Sequence, residues 1–358
     1  MPVVVSVPAR FAVSRFRGAA VRARRALMRC AAPLAVILAV TLVEGAAAGR
    51  AQAQDMDMSQ GGAAEQEAIA AAPRASFMAG RRTLGWGRAF NNDYLGDGKD
   101  RWQTGSYMLS VLRGHQWTGA LPDAPFEVME YRLSVAITSP TKLSKPPAWD
   151  RRYAGRSQFM GATHWQARGL ENMVGLGFTT TGKGNGIGDL HNTLHDWVSA
   201  PQVRVREQQI GNGVHPFVLA ELGREWDLGG SAMRVFSQAR VGDETLLRAG
   251  FDWQIGAREI GALWLRDEIT GQRVVGISGN SSPGAWFTLG ADFGHVWSSA
   301  YLPKGEIELS DTRTRVRAGV NMRHGDFGVF YGVTWLSKEF EAQPEGQVLG
   351  TLRVRANF

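Results

Sequence analysis

The amino-acid sequence predicts an all-β protein: a transmembrane antiparallel β-barrel of about twelve strands, with an irregular loop region that carries the candidate site. From about Arg82 onwards, apolar and polar residues alternate with a period of two, the pattern of half-buried strands. All twelve tryptophans lie at or after Trp86, as expected if they form aromatic girdles at a membrane surface. The chain also ends in the alternating segment TLRVRANF.

The alternation is clearest in EYRLSVAIT, where one face carries Tyr131, Leu133, Val135 and Ile137. It recurs in SAMRVFSQARV, LLRAGFDWQIG, GALWLRDEI, WFTLGADFGHVW, RVRAGVNMR and FGVFYGVTWLS. Turn-like segments such as GDET, ITGQR, SGNSSPG and HGD separate them at hairpin spacing. A spanning strand needs about 9–11 residues, which gives about ten to twelve strands, and closure favours an even number. We therefore predict twelve strands, in a barrel too narrow and too full of side chains to be a wide pore.

The C-terminal segment and the tryptophans favour a membrane barrel over the alternative, a soluble sandwich or barrel. In the last segment, Leu352, Val354, Ala356 and Phe358 share one face, and the other face is polar. A final strand that ends in phenylalanine is similar to the closing strand of bacterial outer-membrane barrels. Eight tryptophans lie near predicted strand ends: Trp86, Trp102, Trp117, Trp226, Trp253, Trp264, Trp297 and Trp335. The sequence thus predicts a barrel over residues 77–358, located in the bacterial outer membrane.

The N-terminal residues are interpreted as a targeting segment. Seven arginines between Arg10 and Arg29, with no acidic residue among them, precede the apolar run AAPLAVILAVTLV. That run is too short to span a bilayer comfortably. Ala51-Gln52-Ala53 fits a signal-peptidase site. We predict that residues 1–53 are a cleaved signal peptide and that the small, polar residues 54–76 form a flexible leader.

Removal of the signal peptide changes the charge balance. The chain carries 40 basic and 33 acidic residues, but residues 1–54 hold eight arginines and one glutamate, which leaves 32 of each sign. A nucleic-acid partner is not expected, because phosphate binding needs a net basic surface. The only cysteine, Cys30, lies within the predicted signal peptide, so the mature chain has neither disulfides nor thiolate ligands.

Polar clusters interrupt the alternation in residues 139–215 and in FNNDYLGDGKDRWQTGS. Long loops on a rigid barrel are common positions for binding and catalytic residues. The segment HNTLHDW places His191 and His195 four residues apart, a spacing found in zinc-binding helices, beside catalytic bases and on ordinary surfaces. A zinc helix would favour HExxH, and asparagine stands here in place of that glutamate.

Three motifs resemble those of the LpxR-type lipid A 3'-O-deacylases of bacterial outer membranes. The first is Asn92-Asp93 followed by Asp100-Arg101 and Thr104-Gly105. The second is Ser139-Pro140, a lysine in the following loop, and DRRYAG from Asp150 to Gly155. The third is the glycine-rich turn before DLHNTLH. Each is weak alone, but all three occur in family order over about residues 83–215, and the later strands match only as barrel strands.

The resemblance implies a twelve-stranded barrel that depends on Ca²⁺ and hydrolyses the ester-linked 3' acyloxyacyl group of lipid A in lipopolysaccharide. It assigns the catalytic histidine to His195. The other catalytic positions fall on Asn92, Asp93, Thr104 and Lys145, with Lys142 as the alternative lysine. The auxiliary residues are His191, Asp150 and Arg151.

These residue types suit ester hydrolysis. Histidine titrates near neutral pH, so His195 would take a proton from an attacking water. The oxyanion needs positive charge placed beforehand, and Asn92, Asp93 and Thr104 offer the oxygen ligands that Ca²⁺ prefers. Lys145 would add charge at the oxyanion or bind a lipid A phosphate. No G-x-S-x-G segment indicates a serine nucleophile.

The sequence departs from the family pattern beside the catalytic histidine. His191 replaces a glutamine and Pro201 replaces a glutamate, whose contribution Asp196 could supply. A zinc site at His191 and His195 therefore stays open. Two other functions also remain: a non-enzymatic barrel, such as a small porin or adhesion scaffold, and an outer-membrane phospholipase. An enzyme requires its site residues to converge at one rim of the barrel, whereas a porin would scatter them.

Overall fold

The structure is a computed structural model that describes residues 80–197, 202–280, 283–325 and 327–356. The chain divides into two compact units, one of Met1–Ala75 with Thr193–Pro201 and one of Ser76–Asn192 with Gln202–Phe358. Of the first unit, the described part is the end of a helix, residues 193–197. The predicted signal peptide (1–53) and leader (54–76), as well as Phe358, lie outside the described residues.

The described part of the chain contains fourteen strands and one α-helix. The strands are β1 (Arg82–Asn92), β2 (Trp102–Gly114), β3 (Val128–Ser139), β4 (Ala154–Ala167), β5 (Leu170–Thr181), β6 (Gly213–Asp227), β7 (Ser231–Val241), β8 (Glu244–Gly256), β9 (Leu263–Arg266), β10 (Arg273–Ile277), β11 (Gly284–Ser299), β12 (Thr312–His324), β13 (Phe327–Leu336) and β14 (Gln347–Ala356). Helix α1 spans Ile187–Trp197, and short 3₁₀ turns span Lys183–Asn185 and Arg204–Gln208. No helix in these ranges is long and apolar enough to cross a membrane.

Twelve of the strands form a closed antiparallel barrel, which confirms the predicted architecture. Each strand pairs with its neighbour in the chain, except that β8 pairs directly with β11. The barrel closes where β1 pairs with β14, with Phe90 opposite Leu352 and Asn92 opposite Gly350. Closure pairs the first strand of the wall with the last, as a barrel in a membrane requires.

The two faces of the wall differ in polarity, as the period-two pattern predicts. On β13, the side chains of Tyr331, Val333 and Trp335 are exposed on the outer face, while Thr334 is fully buried. The lumen holds ion pairs instead: Asp292 of β11 accepts hydrogen bonds from the guanidinium groups of three arginines, Arg248, Arg315 and Arg317. Buried charges need such partners because an isolated charge loses its hydration.

Strands β9 and β10 form a hairpin inside the barrel and do not belong to its wall. Arg266 of β9 is paired with Glu221 of β6 at 2.9 Å and with Asp252 of β8 at 2.8 Å. At the hairpin turn, Glu268 contacts Arg132 of β3 and Arg240 of β7. The hairpin thus reaches several sides of the lumen and packs across it.

Apolar packing fixes the hairpin against β1, β2 and β3. Leu263, Leu265, Val274 and Ile277 of the hairpin form one buried cluster with Ala89, Met108, Leu112 and Val128 of the wall. Gly85 permits the close approach, since a Cβ there would lie 2.2 Å from the Gly276 carbonyl oxygen. The sequence-based interpretation of GALWLRDEI as a wall strand is therefore wrong.

The tryptophan positions agree only in part with an interfacial girdle. Trp86, Trp226, Trp297 and Trp335 are exposed on the barrel surface, as a girdle requires. Trp102 is fully buried, and Trp264 lies on the lumenal hairpin, so the girdle assignment is wrong for these two.

Most of the longer connections lie at the barrel end where β1 ends and β2 begins. We call this end the site rim. It carries the connections 93–101, 140–153, 182–212, 300–311 and 337–346. The opposite end has the tight turns 168–169 and 228–230, the longer connection 115–127 and the hairpin segment.

Candidate active site

The first part of the site lies where β1 ends. Asn92 Nδ2 donates to the Thr104 carbonyl oxygen at 3.1 Å, and the Asp93 backbone N–H donates to the same oxygen at 3.1 Å. Asn92 Oδ1 accepts a hydrogen bond from the Tyr94 N–H. Three sequence-predicted residues, Asn92, Asp93 and Thr104, are therefore joined at one point of the site rim.

Asp93 lies among other carboxylates and is almost fully buried. Its Oδ2 accepts a hydrogen bond from the Arg101 backbone N–H at 2.8 Å. Burial, followed by the nearby negative charges of Asp100 and Asp97, raises the pKa of Asp93 to about 9. A buried carboxylate beside two others is stabilised either by a proton or by a cation.

Thr104 is placed by a β-bulge at the start of β2. Gln103 pairs with Thr138 and Gly105 pairs with Ile137, so Thr104 is the extra residue between them. Bulges occur beside active sites because they redirect a side chain. Here the Thr104 side chain is buried, with its hydroxyl 2.6 Å from that of Ser139.

Trp102, two residues earlier, has φ of 51°. Such a conformation is uncommon for a bulky residue and costs about 1–3 kcal/mol. Its indole is buried with Leu302 and Phe340, and the Arg101 guanidinium lies 3.9 Å from the ring centroid. Packing therefore stabilises an irregular backbone immediately beside Thr104.

The glycine-rich turn before helix α1 positions the start of the helix. Asn185 Oδ1 accepts a hydrogen bond from the Ile187 N–H at 3.0 Å, and Asn185 Nδ2 donates to the Gly155 carbonyl oxygen at 2.8 Å. The first satisfies one of the N–H groups that every helix start leaves unbonded. A Cβ on Gly155 would lie 2.9 Å from Ile187, so this glycine lets the helix start pack directly on β4.

His191 is buried on α1 and held by Tyr153, the residue before β4. The Tyr153 hydroxyl is 3.2 Å from His191 Nδ1, and the two rings stack with centroids 5.9 Å apart. His191 and Asp100 each offer a possible ligand atom, and these atoms lie within 4.8 Å of each other. Because Asp100 also influences Asp93, His191 belongs to the same cluster as the end of β1.

His195 lies one helical turn after His191. Residues four apart in a helix lie on the same side, and both histidine side chains are buried, with 3% of His191 and 8% of His195 exposed. Asp196 and Trp197, in contrast, are exposed. The two histidines therefore lie on the same, buried side of α1.

The two candidate lysines are placed differently from the other residues. Lys142 and Lys145 are exposed in the 140–153 loop. Within the described residues, neither side chain has a recorded hydrogen bond or ion pair, and the choice between them stays open.

Asp150 and Arg151 brace the 140–153 loop. The Asp150 carboxylate accepts hydrogen bonds from the N–H and hydroxyl of Thr141 at 2.6 and 2.7 Å. Arg151 is buried and paired with Glu339. Their recorded side-chain contacts position the loop and do not involve Asp93, Thr104 or His191.

Sequence reasoning did not assign roles to three residues that the structure brings into the cluster. Asp100 lies beside Asp93 and His191, Tyr153 contacts His191, and Ser139 contacts Thr104. Each lies within a motif that was recognised, but spacing alone does not indicate which motif residues meet across loops.

The side-chain oxygens around the end of β1 are of the type that binds a hard divalent cation. Asn92, Asp93, Asp100 and Thr104 all supply side-chain oxygen, the ligand type that Ca²⁺ prefers. Burial, followed by the charges of Asp100 and Asp97, raises the pKa of Asp93, and a bound cation would favour its ionised form.

Comparison with known proteins gives one family and a consistent fold. The family described as "Outer membrane protein LpxR" matches residues 62–358. The chain is similar to the solved structure of LpxR from Salmonella typhimurium, with a TM-score of 0.61 and 15% identity, covering 76% of this chain and 100% of that one. A weaker likeness is to the beta domain of the Bordetella autotransporter BrkA, with a TM-score of 0.38 and 11% identity over 77% of this chain and 99% of that one. No curated protein sequence matches significantly.

Proposed function

Because the chain belongs to the LpxR family of outer membrane proteins, we propose that it is a lipid A deacylase. It hydrolyses the ester-linked 3' acyloxyacyl group of lipopolysaccharide, with His195 as general base and Ca²⁺ as cofactor. The observation that carries this proposal is convergence: Asn92 and Asp93 both donate hydrogen bonds to the Thr104 carbonyl oxygen at the site rim. Asp100 connects them to His191, on the same face of α1 as His195.

The site rim suits a substrate in the outer leaflet. Outer-membrane barrels have longer loops outside and short turns on the periplasmic side, and most of the longer connections of the wall, with the exception of 115–127, lie at the site rim. A lipid can approach along the apolar outer wall and present its ester to residues at the end of β1. In this orientation the site rim faces the outside of the cell, and the protein acts there on lipopolysaccharide of the outer leaflet.

His195 supplies the base in this proposal. It takes a proton from a water, which attacks the ester carbonyl. When the acyl C–O bond breaks, His195 returns the proton to the leaving sugar oxygen, which becomes a hydroxyl group. Burial of the His195 imidazole limits the access of bulk water to the site. His191 orients α1 through Tyr153 and does not itself need to transfer a proton.

Asn92, Asp93, Asp100 and Thr104 would hold Ca²⁺. When bound, the cation supplies positive charge for the oxyanion that develops on the ester carbonyl. Without a cation, the buried Asp93 favours its protonated form. Lys145, or its neighbour Lys142, would bind a lipid A phosphate from the exposed 140–153 loop.

The lumenal hairpin argues against the porin alternative. Glu268 at its turn forms ion pairs with Arg132 and Arg240 of the wall, and the apolar face of the hairpin packs on β1 to β3. An open channel would require the hairpin to unpack from the wall and move out of the lumen. An adhesion scaffold would not need the buried carboxylates and histidines at the site rim.

Purified protein incubated with lipid A and Ca²⁺ tests the proposal. We expect mass spectrometry to detect lipid A lacking its 3' acyloxyacyl group, together with the released acid. Glycerophospholipid vesicles serve as the competing substrate. Release of fatty acid from those vesicles, with lipid A unchanged, would support the phospholipase alternative and contradict the proposal.

A further inference from the structure

The irregular start of β2 lies beside a gap in the barrel wall. β1 ends at Asn92, opposite Gly350 of β14 and Gly105 of β2. Residues 347–349 of β14 and 102–104 of β2 continue past this point. Between them the chain turns away into the 93–101 connection. Asn92 and Asp93 still bond the Thr104 carbonyl oxygen, and Asp97 bonds the Val348 carbonyl oxygen, but no strand residue of β1 lies between Gln347 and Gln103.

The Gln347 side chain bridges this gap. Its Oε1 accepts a hydrogen bond from the Gln103 N–H at 2.9 Å. Its Nε2 donates to the carbonyl oxygens of Arg101 at 3.3 Å and Gln103 at 3.2 Å. With 3% of its surface exposed, this amide has little access to water and binds the backbone on both sides of Trp102.

These three hydrogen bonds hold the segment that carries the candidate site. Arg101 donates its backbone N–H to Asp93, Asp100 precedes it, and the bulged Thr104 follows Gln103. Without the amide, the carbonyl groups of Arg101 and Gln103 and the N–H of Gln103 would lose these hydrogen bonds in a buried position. The backbone on both sides of Trp102, which has positive φ, would then lose this support. Buried main-chain groups seldom stay unbonded, so the segment would rearrange.

We propose that Gln347 is a positioning residue for the deacylase reaction: its side-chain amide replaces the missing end of β1 and fixes Asp93, Asp100 and Thr104 relative to one another. The inference rests on the proposed function for its kinetic part only. Its structural part, that Gln347 orders residues 101–105, is independent of the substrate.

The chain offers a matched control in Gln343. This glutamine is also buried, accepts a hydrogen bond from the Glu339 N–H and donates to the Glu345 carbonyl oxygen, both at 2.9 Å. Its bonds lie within the 337–346 connection and do not contact residues 101–105. Gln347→Met and Gln343→Met each remove a buried amide and keep the side-chain length.

Both variants are compared with the full-length wild type in detergent, with heat-modifiable gel mobility as the control for folding. We expect Gln347→Met to lower kcat for lipid A about 10- to 100-fold, because small displacements of catalytic groups have effects of this size. KM should change less than about threefold, and amide hydrogen exchange of residues 101–105 should become faster. Gln343→Met should retain kcat within about twofold and leave that exchange unchanged.

The outcomes separate the two proposals. If Gln347→Met keeps wild-type kcat, if its exchange in residues 101–105 is unchanged, or if Gln343→Met has the same two effects, the positioning role is wrong. If the wild type does not hydrolyse lipid A, the proposed function fails. In that case the exchange contrast between the two variants still decides whether Gln347 orders the segment. Should Gln347→Met not fold, Gln347→Glu, which keeps the acceptor but sets a carboxylate against two carbonyl oxygens, is expected to give the same kinetic and exchange changes.

Discussion

The two histidines of α1 have different proposed roles, and their substitutions should therefore differ in effect. His195→Ala removes the proposed general base, which typically contributes about 10²–10⁴-fold to rate. That range corresponds to about 3–5 kcal/mol in the activation barrier. We expect His195→Ala to lose nearly all deacylation.

His191→Gln has a smaller expected effect, which follows from its contacts. The substitution replaces the imidazole that lies 3.2 Å from the Tyr153 hydroxyl and stacks on its ring. A neutral hydrogen bond contributes about 0.5–1.5 kcal/mol, which limits the loss to about tenfold. Glutamine can also bond the tyrosine hydroxyl, and it is the residue that the resembling family carries here. The two variants should therefore differ in rate by at least about tenfold.

The assay is release of the 3' acyloxyacyl chain from lipid A, measured by mass spectrometry at saturating Ca²⁺. His115, which is exposed at the opposite end of the barrel, supplies the control substitutions His115→Ala and His115→Gln. Heat-modifiable gel mobility confirms that each variant is folded. Equal loss of activity in His195→Ala and His191→Gln would refute the reasoning and favour a metal site that needs both imidazoles. Wild-type activity in His195→Ala would show that this residue is not the base.

Three further predictions concern the metal, the lumen and a rim ion pair. Chelation should abolish lipid A hydrolysis and Ca²⁺ should restore it, whereas restoration by Zn²⁺ alone would support the histidine site. In planar bilayers the protein should show no steady conductance, because the hairpin packs across the lumen; a stable open channel in the wild type would contradict this. Although burial opposes ionisation, Arg151 and Arg313 lower the pKa of Glu339 to about 2. A lowered carboxyl pKa contributes stability that is present above its ordinary value of 4.5 and lost as pH falls towards 2, on the order of 3 kcal/mol. The free energy of unfolding measured in urea should therefore fall between pH 5 and 3 in the wild type, and it should fall less in Glu339→Gln. An equal dependence on pH in the two proteins would count against this ion pair.

The barrel could be predicted from the sequence because its cause is local. A strand between lipid and a polar lumen must alternate apolar and polar side chains, and that alternation is visible in each segment separately. Thr351 and Arg353 point inward and Leu352 and Val354 outward on β14, as the last segment predicts. The candidate residues Asn92, Asp93 and Thr104 could also be proposed from motifs, since they end or begin adjacent strands.

The same pattern could not distinguish a wall strand from the lumenal hairpin. β9 also alternates, because Leu263 and Leu265 face the buried apolar cluster while Arg266 faces the carboxylates of Glu221 and Asp252. A period of two indicates that a strand has one apolar face and one polar face. It does not indicate whether lipid or another strand covers the apolar face. For the same reason, Trp102 at a strand end resembled a girdle residue, although it is buried beneath a rim connection.

Only the tertiary structure decided which polar residues meet. Asp100, Tyr153 and Gln347 come from the 93–101 connection, the start of β4 and the start of β14, and their contacts depend on where loops fold back over the end of β1. Loop paths follow from the sum of many side-chain contacts across the barrel rim, and no local period records them. The sequence by itself therefore determined the wall and the residue types of the site, whereas the closed barrel and its packed rim determined their partners.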